Sequence, residues 1–273
     1  MRTKLRAINK TASFLVGCFL ALACEEPPPS GTTTSVSAVK PQDKTARVIP
    51  VTDPKQVEAK SETKKPKKTP EDCPKGNELS IGDPELEKAI RFKLQKETGT
   101  LTVADLKRLT SLNLSQSKIH ELDICLFPHM TNLKELFLGP GDLDDLSPIE
   151  DLTKLESLRA SLNKVNDIKP LSKMTKMDRL DLGQTKVSDL EPLEEMTKLT
   201  ELSLDGTPVA DLSPLSEMKD LERLSIKRTQ VKDVSPLKDL AKLKFVYVTD
   251  TPADQDPMSF APLRANGTKI MND

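Results

Sequence analysis

Three kinds of side chain recur at spacings that invite chemistry. Met174, Met196 and Met218 stand 22 residues apart, and a stripe of thioethers is the kind of donor set that takes a soft metal such as Cu(I). Asp145, Asp167, Asp189, Asp211 and Asp233 keep the same period, and a column of carboxylates offers the oxygens that calcium prefers. His120 and His129 are the chain's two imidazoles. Each set has a plainer reading. The methionines occupy an apolar position of every period. The aspartates precede a proline step whose free N–H groups they can accept from. The histidines lack a nucleophile or a second set of ligands nearby. We read the chain as non-enzymatic, with no metal, no cofactor and no small-molecule substrate.

The period itself says more than the side chains riding on it, because self-similarity at 20–50 residues decides architecture. Leu155, Met177, Leu199, Leu221 and Leu243 begin successive units. Three residues on come Leu158, Leu180, Leu202, Leu224 and Val246, and two further Ala160, Leu182, Leu204, Ile226 and Val248. Each unit then carries a Val and a step such as Asp189-Leu190-Glu191-Pro192-Leu193 or Asp211-Leu212-Ser213-Pro214-Leu215. Leu133 to Leu152 obeys the pattern, and Leu109 to Met130 obeys it with a two-residue insertion and no Asp/Pro step. Six repeats and a partial seventh therefore occupy 109–251.

This pattern is similar to the 22-residue, internalin-type class of leucine-rich repeats in bacterial surface proteins. The resemblance implies an α/β solenoid with a parallel concave sheet, a 3₁₀ or short helical convex side, an N-terminal helical cap and a protein-binding role. The residues support the fold independently. In Leu-x-x-Leu-x-Leu the last apolar residues alternate with polar ones, as in a strand with one face inward. Parallel strands about 4.8 Å apart make seven turns into a sheet roughly 30 Å long. Proline at the fixed step excludes a long helix on the return side and suits one 3₁₀ turn. At position nine, where the family often carries a turn-bridging Asn, stand Asn163, Thr185, Thr207, Thr229 and Thr251. Thr is expected to make part of that ladder, and Gly139-Pro140-Gly141 to form looser turns.

Composition narrows the function. Of 273 residues, 36% are hydrophobic but only 3% aromatic, so the core must be Leu, Ile, Val and Met. Residues 73–273 hold 28 basic and 34 acidic side chains, a net −6 that argues against a nucleic-acid partner.

The N-terminus reads as an export signal. Arg2, Lys4, Arg6 and Lys10 precede the uncharged run Thr11 to Ala23, which is too short for a membrane span. Leu20-Ala21-Leu22-Ala23-Cys24 resembles the lipobox of bacterial lipoproteins, which implies a signal peptide over 1–23, acylation of Cys24 and a lipid anchor in a bacterial cell envelope. An ordinary signal cut near Ala23 is the alternative. Residues 24–72, rich in Pro, Thr and Lys, are expected to be a disordered tether with a reach of about 35–40 Å.

Residues 73–108 are expected to form the helical cap. Asp83-Pro84-Glu85 starts a helix whose apolar face is Leu86, Ala89, Ile90 and Leu94, and Thr102-Val103-Ala104-Asp105 starts a shorter one. Cys73 and Cys125 remain after export, which suggests a disulfide from cap to first repeat; two free buried thiols are the alternative. Residues 252–273 are expected to close the other end.

The outward residues of the concave strands form columns. One is Ser111, Glu135, Ser157, Arg179, Glu201, Arg223 and Phe245; the next is Asn113, Phe137, Arg159, Asp181, Ser203, Ser225 and Tyr247; Lys227 lies in a third. Interfaces favour aromatic residues and Arg. A protein partner is therefore expected at Phe137, Arg159, Arg179, Asp181, Arg223, Lys227, Phe245 and Tyr247. Two blander readings stay open: Arg179, Glu201 and Arg223 neutralise one another across strands, and the C-terminal tail covers Phe245 and Tyr247. The alternative function is a structural scaffold in an envelope assembly.

Overall fold

The computed structural model describes residues 68–272. The expected signal peptide, the lipid site Cys24 and the tether as far as residue 67 lie outside the described residues.

The cap comes first. A two-stranded antiparallel ribbon joins β1 (Glu78–Leu79) to β2 (Leu101–Thr102) and brackets the helix α1 (Pro84–Leu94). Asp83 starts α1 by accepting from the N–H groups of Glu85 at 2.8 Å and Leu86 at 3.2 Å, with Pro84 in the first turn. Helix α2 (Val103–Leu106) opens on the expected capping box, in which Asp105 takes the role usually given to Glu. Leu86, Ile90, Leu101 and Leu106 seal the end of the solenoid core.

Eight parallel strands follow as one sheet: β3 (Ser111–Leu114), β4 (Glu135–Leu138), β5 (Ser157–Arg159), β6 (Arg179–Asp181), β7 (Glu201–Ser203), β8 (Arg223–Ser225), β9 (Phe245–Tyr247) and β10 (Lys269–Met271). The first seven are the strands expected from the repeat. The eighth comes from the tail, which runs through two 3₁₀ turns and the short helix α3 (Ala261–Ala265) before pairing with β9.

Each proline step forms a 3₁₀ turn, at Ser147–Ile149, Lys169–Leu171, Glu191–Leu193, Ser213–Leu215 and Ser235–Leu237. The aspartate column caps these turns: Oδ1 of Asp145, Asp167, Asp189, Asp211 and Asp233 accepts from the N–H two residues on, at 2.8–2.9 Å. Met174, Met196 and Met218 are fully buried between turns. No unit could bury this core alone, so stability comes from stacking. Leu180 is 2% exposed, and a carboxylate there would lack any partner.

Ahead of Cys73, Lys68 Nζ donates to Asp123 at 2.8 Å, and Pro70–Asp72 form a 3₁₀ turn. That bond, more than any other contact, raises the Lys68 pKa. The turns at Gly139-Pro140-Gly141 are tight rather than loose. A Cβ at Gly139 would strike the carbonyl oxygens of Ser117 and Leu114, and one at Gly141 would come within 2.6 Å of the Ile119 carbonyl. The threonines at position nine make the part of the ladder that lies within a turn, as expected, matching the Asn163 bond to the Ala160 carbonyl, but they do not bridge turns. Thr185, Thr207, Thr229 and Thr251 each donate to the carbonyl three residues back, at 2.6–2.8 Å, whereas only Asn163 among these five is long enough to reach the preceding turn.

The backbone before position nine is left-handed in five consecutive turns. Leu162, Gln184, Gly206, Arg228 and Asp250 have φ between 55° and 68°. Only one of the five is glycine, so four turns carry a side chain in a conformation that L-residues disfavour.

Candidate functional site

The concave columns are in register. Glu135, Ser157, Arg179, Glu201, Arg223, Phe245 and Lys269 pair sideways from β4 to β10, as do Phe137, Arg159, Asp181, Ser203, Ser225, Tyr247 and Met271. Period-two alternation sends Leu158, Leu180, Leu202, Leu224 and Val246 inward and leaves these columns outward. One depression on this face is lined by Phe137, Arg159, Arg179, Asp181, Arg223 and Tyr247, among others.

The middle of the face is polar and internally bonded. Arg159 Nε donates to Asp181 Oδ2 at 3.1 Å, Ser161 Oγ donates to the same oxygen at 3.0 Å, and Gly183 N–H donates to Oδ1 at 3.0 Å. Glu201 is less firmly engaged, with Arg223 Nη1 at 3.6 Å. Arg179 approaches Asp178 at 3.8 Å rather than Glu201 on the next strand. Neutralisation across strands is thus real for Arg159 with Asp181, loose for Arg223 with Glu201, and not made by Arg179 with Glu201.

The C-terminal end is aromatic and cationic. The Arg223 guanidinium lies 5.7 Å from the Phe245 ring centre, and Lys269 Nζ lies 5.7 Å from the same ring. Lys227 Nζ stands 5.1 Å from the centre of the Tyr247 ring. Phe245 and Tyr247 are half-buried. The tail runs beside them as β10 and leaves part of each ring in solvent. All eight expected residues therefore lie on one face, with Phe137 on β4 separated from Tyr247 by five strand spacings, about 24 Å.

Two features escaped sequence reasoning. Lys269 and Met271 extend the columns by one strand, and nothing in the tail repeats the 22-residue pattern. Phe92 on α1 is 86% exposed and lies beside Ser111, Asn113 and Ser115 at the N-terminal rim. Its signal was legible: it falls two residues after Ile90, off the stripe of Leu86, Ala89, Ile90 and Leu94.

Cys73 and Cys125 are joined as a disulfide, with Cα atoms 5.2 Å apart across 52 residues of sequence. The bond fastens the segment ahead of β1 to the first repeat. His120 Nδ1 lies 3.5 Å from Asp142, and His129 ends the 3₁₀ turn Phe127–His129.

No protein-family model matches the chain, and no curated protein sequence matches it. Solved structures do. Internalin C2 of Listeria monocytogenes superposes with a TM-score of 0.62 at 27% identity, covering 69% of this chain and 82% of its own. An internalin F structure from the same organism gives 0.57 at 26% identity, over 70% of this chain and 62% of that one. A leucine-rich-repeat protein of Leptospira interrogans gives 0.56 at 20% identity, over 62% of this chain and 44% of its own, a likeness of fold. The chain thus spans less than two thirds of the last two proteins. Parallel sheet, 3₁₀ return turns and these neighbours together make the fold an α/β leucine-rich-repeat solenoid.

Proposed function

We propose that this chain, an internalin-type leucine-rich-repeat protein, is a lipid-anchored module that binds a protein partner with its concave face. Such repeats point to an interaction role. The observation that carries the finer reading is the gathering of Phe137, Arg159, Arg179, Arg223, Phe245 and Tyr247 on one sheet face of a chain with only 3% aromatic residues. Aromatic and Arg side chains anchor most protein interfaces. A parallel sheet supported by a close-packed core holds them in place before any partner arrives, which lowers the entropic cost of binding.

The anchor would be Cys24, acylated after removal of 1–23, in a bacterial envelope with the domain held off the membrane by the Pro-rich tether. Incorporation of labelled palmitate into the parent, and its loss in Cys24→Ser, tests this.

Binding is tested by cross-linking the full chain in its own cells. The comparison is a variant carrying Phe137→Ser, Arg159→Glu and Tyr247→Ser, checked for native circular dichroism. Saturable retention of one protein by the parent, lost in the folded variant, is the expected result. Identical capture by both would make the scaffold the better account.

A further inference from the structure

The geometry points to an acidic protein segment as the occupant of the C-terminal third of the concave face, a proposal that rests on the protein-binding reading above. Charge along the face is uneven. Strands β6 and β7, with the residues just after them, present Asp181, Glu201 and Asp205 against the single cation Arg179. Strands β8 to β10 present Arg223, Lys227 and Lys269 among Ser225, Phe245, Tyr247, Thr249 and Met271, with no acid among the described residues in those positions; Asp205 borders them, accepting from Ser225 Oγ and the Lys227 N–H, and Asp273, four residues after Lys269, lies outside the described residues. This occurs in a domain whose overall balance is 28 basic to 34 acidic residues. A cationic patch on an otherwise anionic body attracts an acidic partner to one place and repels it elsewhere.

The aromatic rings make the patch more than a charge run. Phe245 is flanked by Arg223 and Lys269, each at 5.7 Å, and Tyr247 by Lys227 at 5.1 Å. A cation beside a ring is held in place by it, and the guanidinium of Arg223 and the ammonium of Lys269 carry several N–H donors that a carboxylate can accept from. Arg223 stands 3.6 Å from Glu201, beyond hydrogen-bond distance, whereas Arg159 is bonded to Asp181 at 3.1 Å. Lys269 makes no ion pair with any described residue. The tail that closes the solenoid therefore also completes the cluster, since without β10 Phe245 would lose one of its two cations. An acidic segment would set carboxylates against Arg223 and Lys269 and lay apolar atoms on Phe245 and Tyr247.

The test titrates the full-length protein with a fluorescein-labelled peptide of Glu-Glu-Tyr repeats, read by anisotropy at low and at physiological ionic strength. Saturable binding that weakens with salt is expected, with at least about a tenfold loss in an Arg223→Ser, Lys269→Ser double variant. Lys173→Ser, which removes a cation paired with Asp151 just after the 3₁₀ turn Lys169–Leu171 and off the concave columns, should change the affinity by less than about twofold. Native circular dichroism checks the double variant, and Lys269→Gln alone replaces it if folding is disturbed. The inference is overturned if the peptide fails to bind, if a Lys-Lys-Tyr peptide binds equally, or if the folded variants match the parent. Tighter binding of a sulfated polysaccharide, or of anionic phosphatidylglycerol vesicles, would overturn it in favour of another class of ligand. If the peptide fails while the cross-linked partner is still lost on concave-face substitution, only the acidic character of the partner falls.

Discussion

Asn163 sends its side-chain amide across one turn of the solenoid to the carbonyl of Gly139, at 3.0 Å, while its Oδ1 accepts from the N–H of Leu143 at 3.3 Å. No threonine at the equivalent position reaches the neighbouring turn in this way. Asn163→Ala would strand buried backbone groups of the preceding repeat and should cost about 2–3 kcal/mol. Thr207→Ala removes one bond within its own turn and should cost about 1 kcal/mol. Urea midpoints of the two variants check the order.

Gly139 and Gln184 should respond in opposite directions to a change of one side chain. Gly139→Ala drives a methyl group into backbone carbonyls that cannot move aside and should destabilise by about 1–3 kcal/mol. Gln184→Gly relieves a left-handed backbone at φ 55° and should stabilise by up to about 1 kcal/mol, after the entropic cost of glycine. Thermal melts of both variants test the pair.

Asp105 sets part of the acid limit. Its carboxylate accepts from Lys96 Nζ at 2.7 Å, from Thr102 Oγ1 at 2.8 Å and from the Thr102 N–H at 3.0 Å. These bonds, that from Lys96 foremost, hold its pKa below the ordinary value of 3.8. Because the folded value is depressed, the stabilisation is complete above the unfolded pKa and fades as pH falls through the folded one. Asp105→Asn should therefore lower stability at neutral pH by about 1.5–3 kcal/mol and converge with the parent in acid. Denaturant midpoints across the pH range will show the convergence or its absence.

Reduction of Cys73–Cys125 should act at one end of the array first. In the chain-entropy model a loop of this length contributes about 4 kcal/mol. In a domain of this size that amounts to roughly 10 °C in melting temperature. Hydrogen exchange should show residues 68–73 and the first repeat loosening while the later turns stay protected, since each repeat depends only on its neighbours. Equal loosening throughout would contradict this.

Most of the fold was legible because one physical rule repeats. Leu180, Leu202 and Leu224 must point inward if any of them does, and their spacing sets the strand, the turn and the outward columns together. The breaks in that rule were harder to see. Strand β10 is made by Lys269, Ile270 and Met271, whose pairing with β9 depends on a tail of 3₁₀ turns with no period to betray it. The tightness at Gly139 is a contact with the Ser117 and Leu114 carbonyls of the turn before it, not a preference within its own turn. Position nine was legible in part: Thr and Asn both bond the carbonyl three residues back, but only Asn163 has the length to reach the preceding turn as well. At the candidate site, sequence placed all eight residues on one face. Which charges are engaged there was settled by side-chain orientation, since Arg159 lies against Asp181 of the next strand while Arg179, of equal length, lies nearest its own neighbour Asp178.

The unbroken register from β4 to β9 makes the distance between Phe137 and Tyr247 a stepped quantity. Adding or deleting one whole 22-residue turn between them would move the two rings apart or together by about 4.8 Å, with neither cap rebuilt and no side chain changing face. The protein is in that sense a ruler with fixed graduations. The spacing across its concave face can be retuned by counting turns as well as by substituting residues.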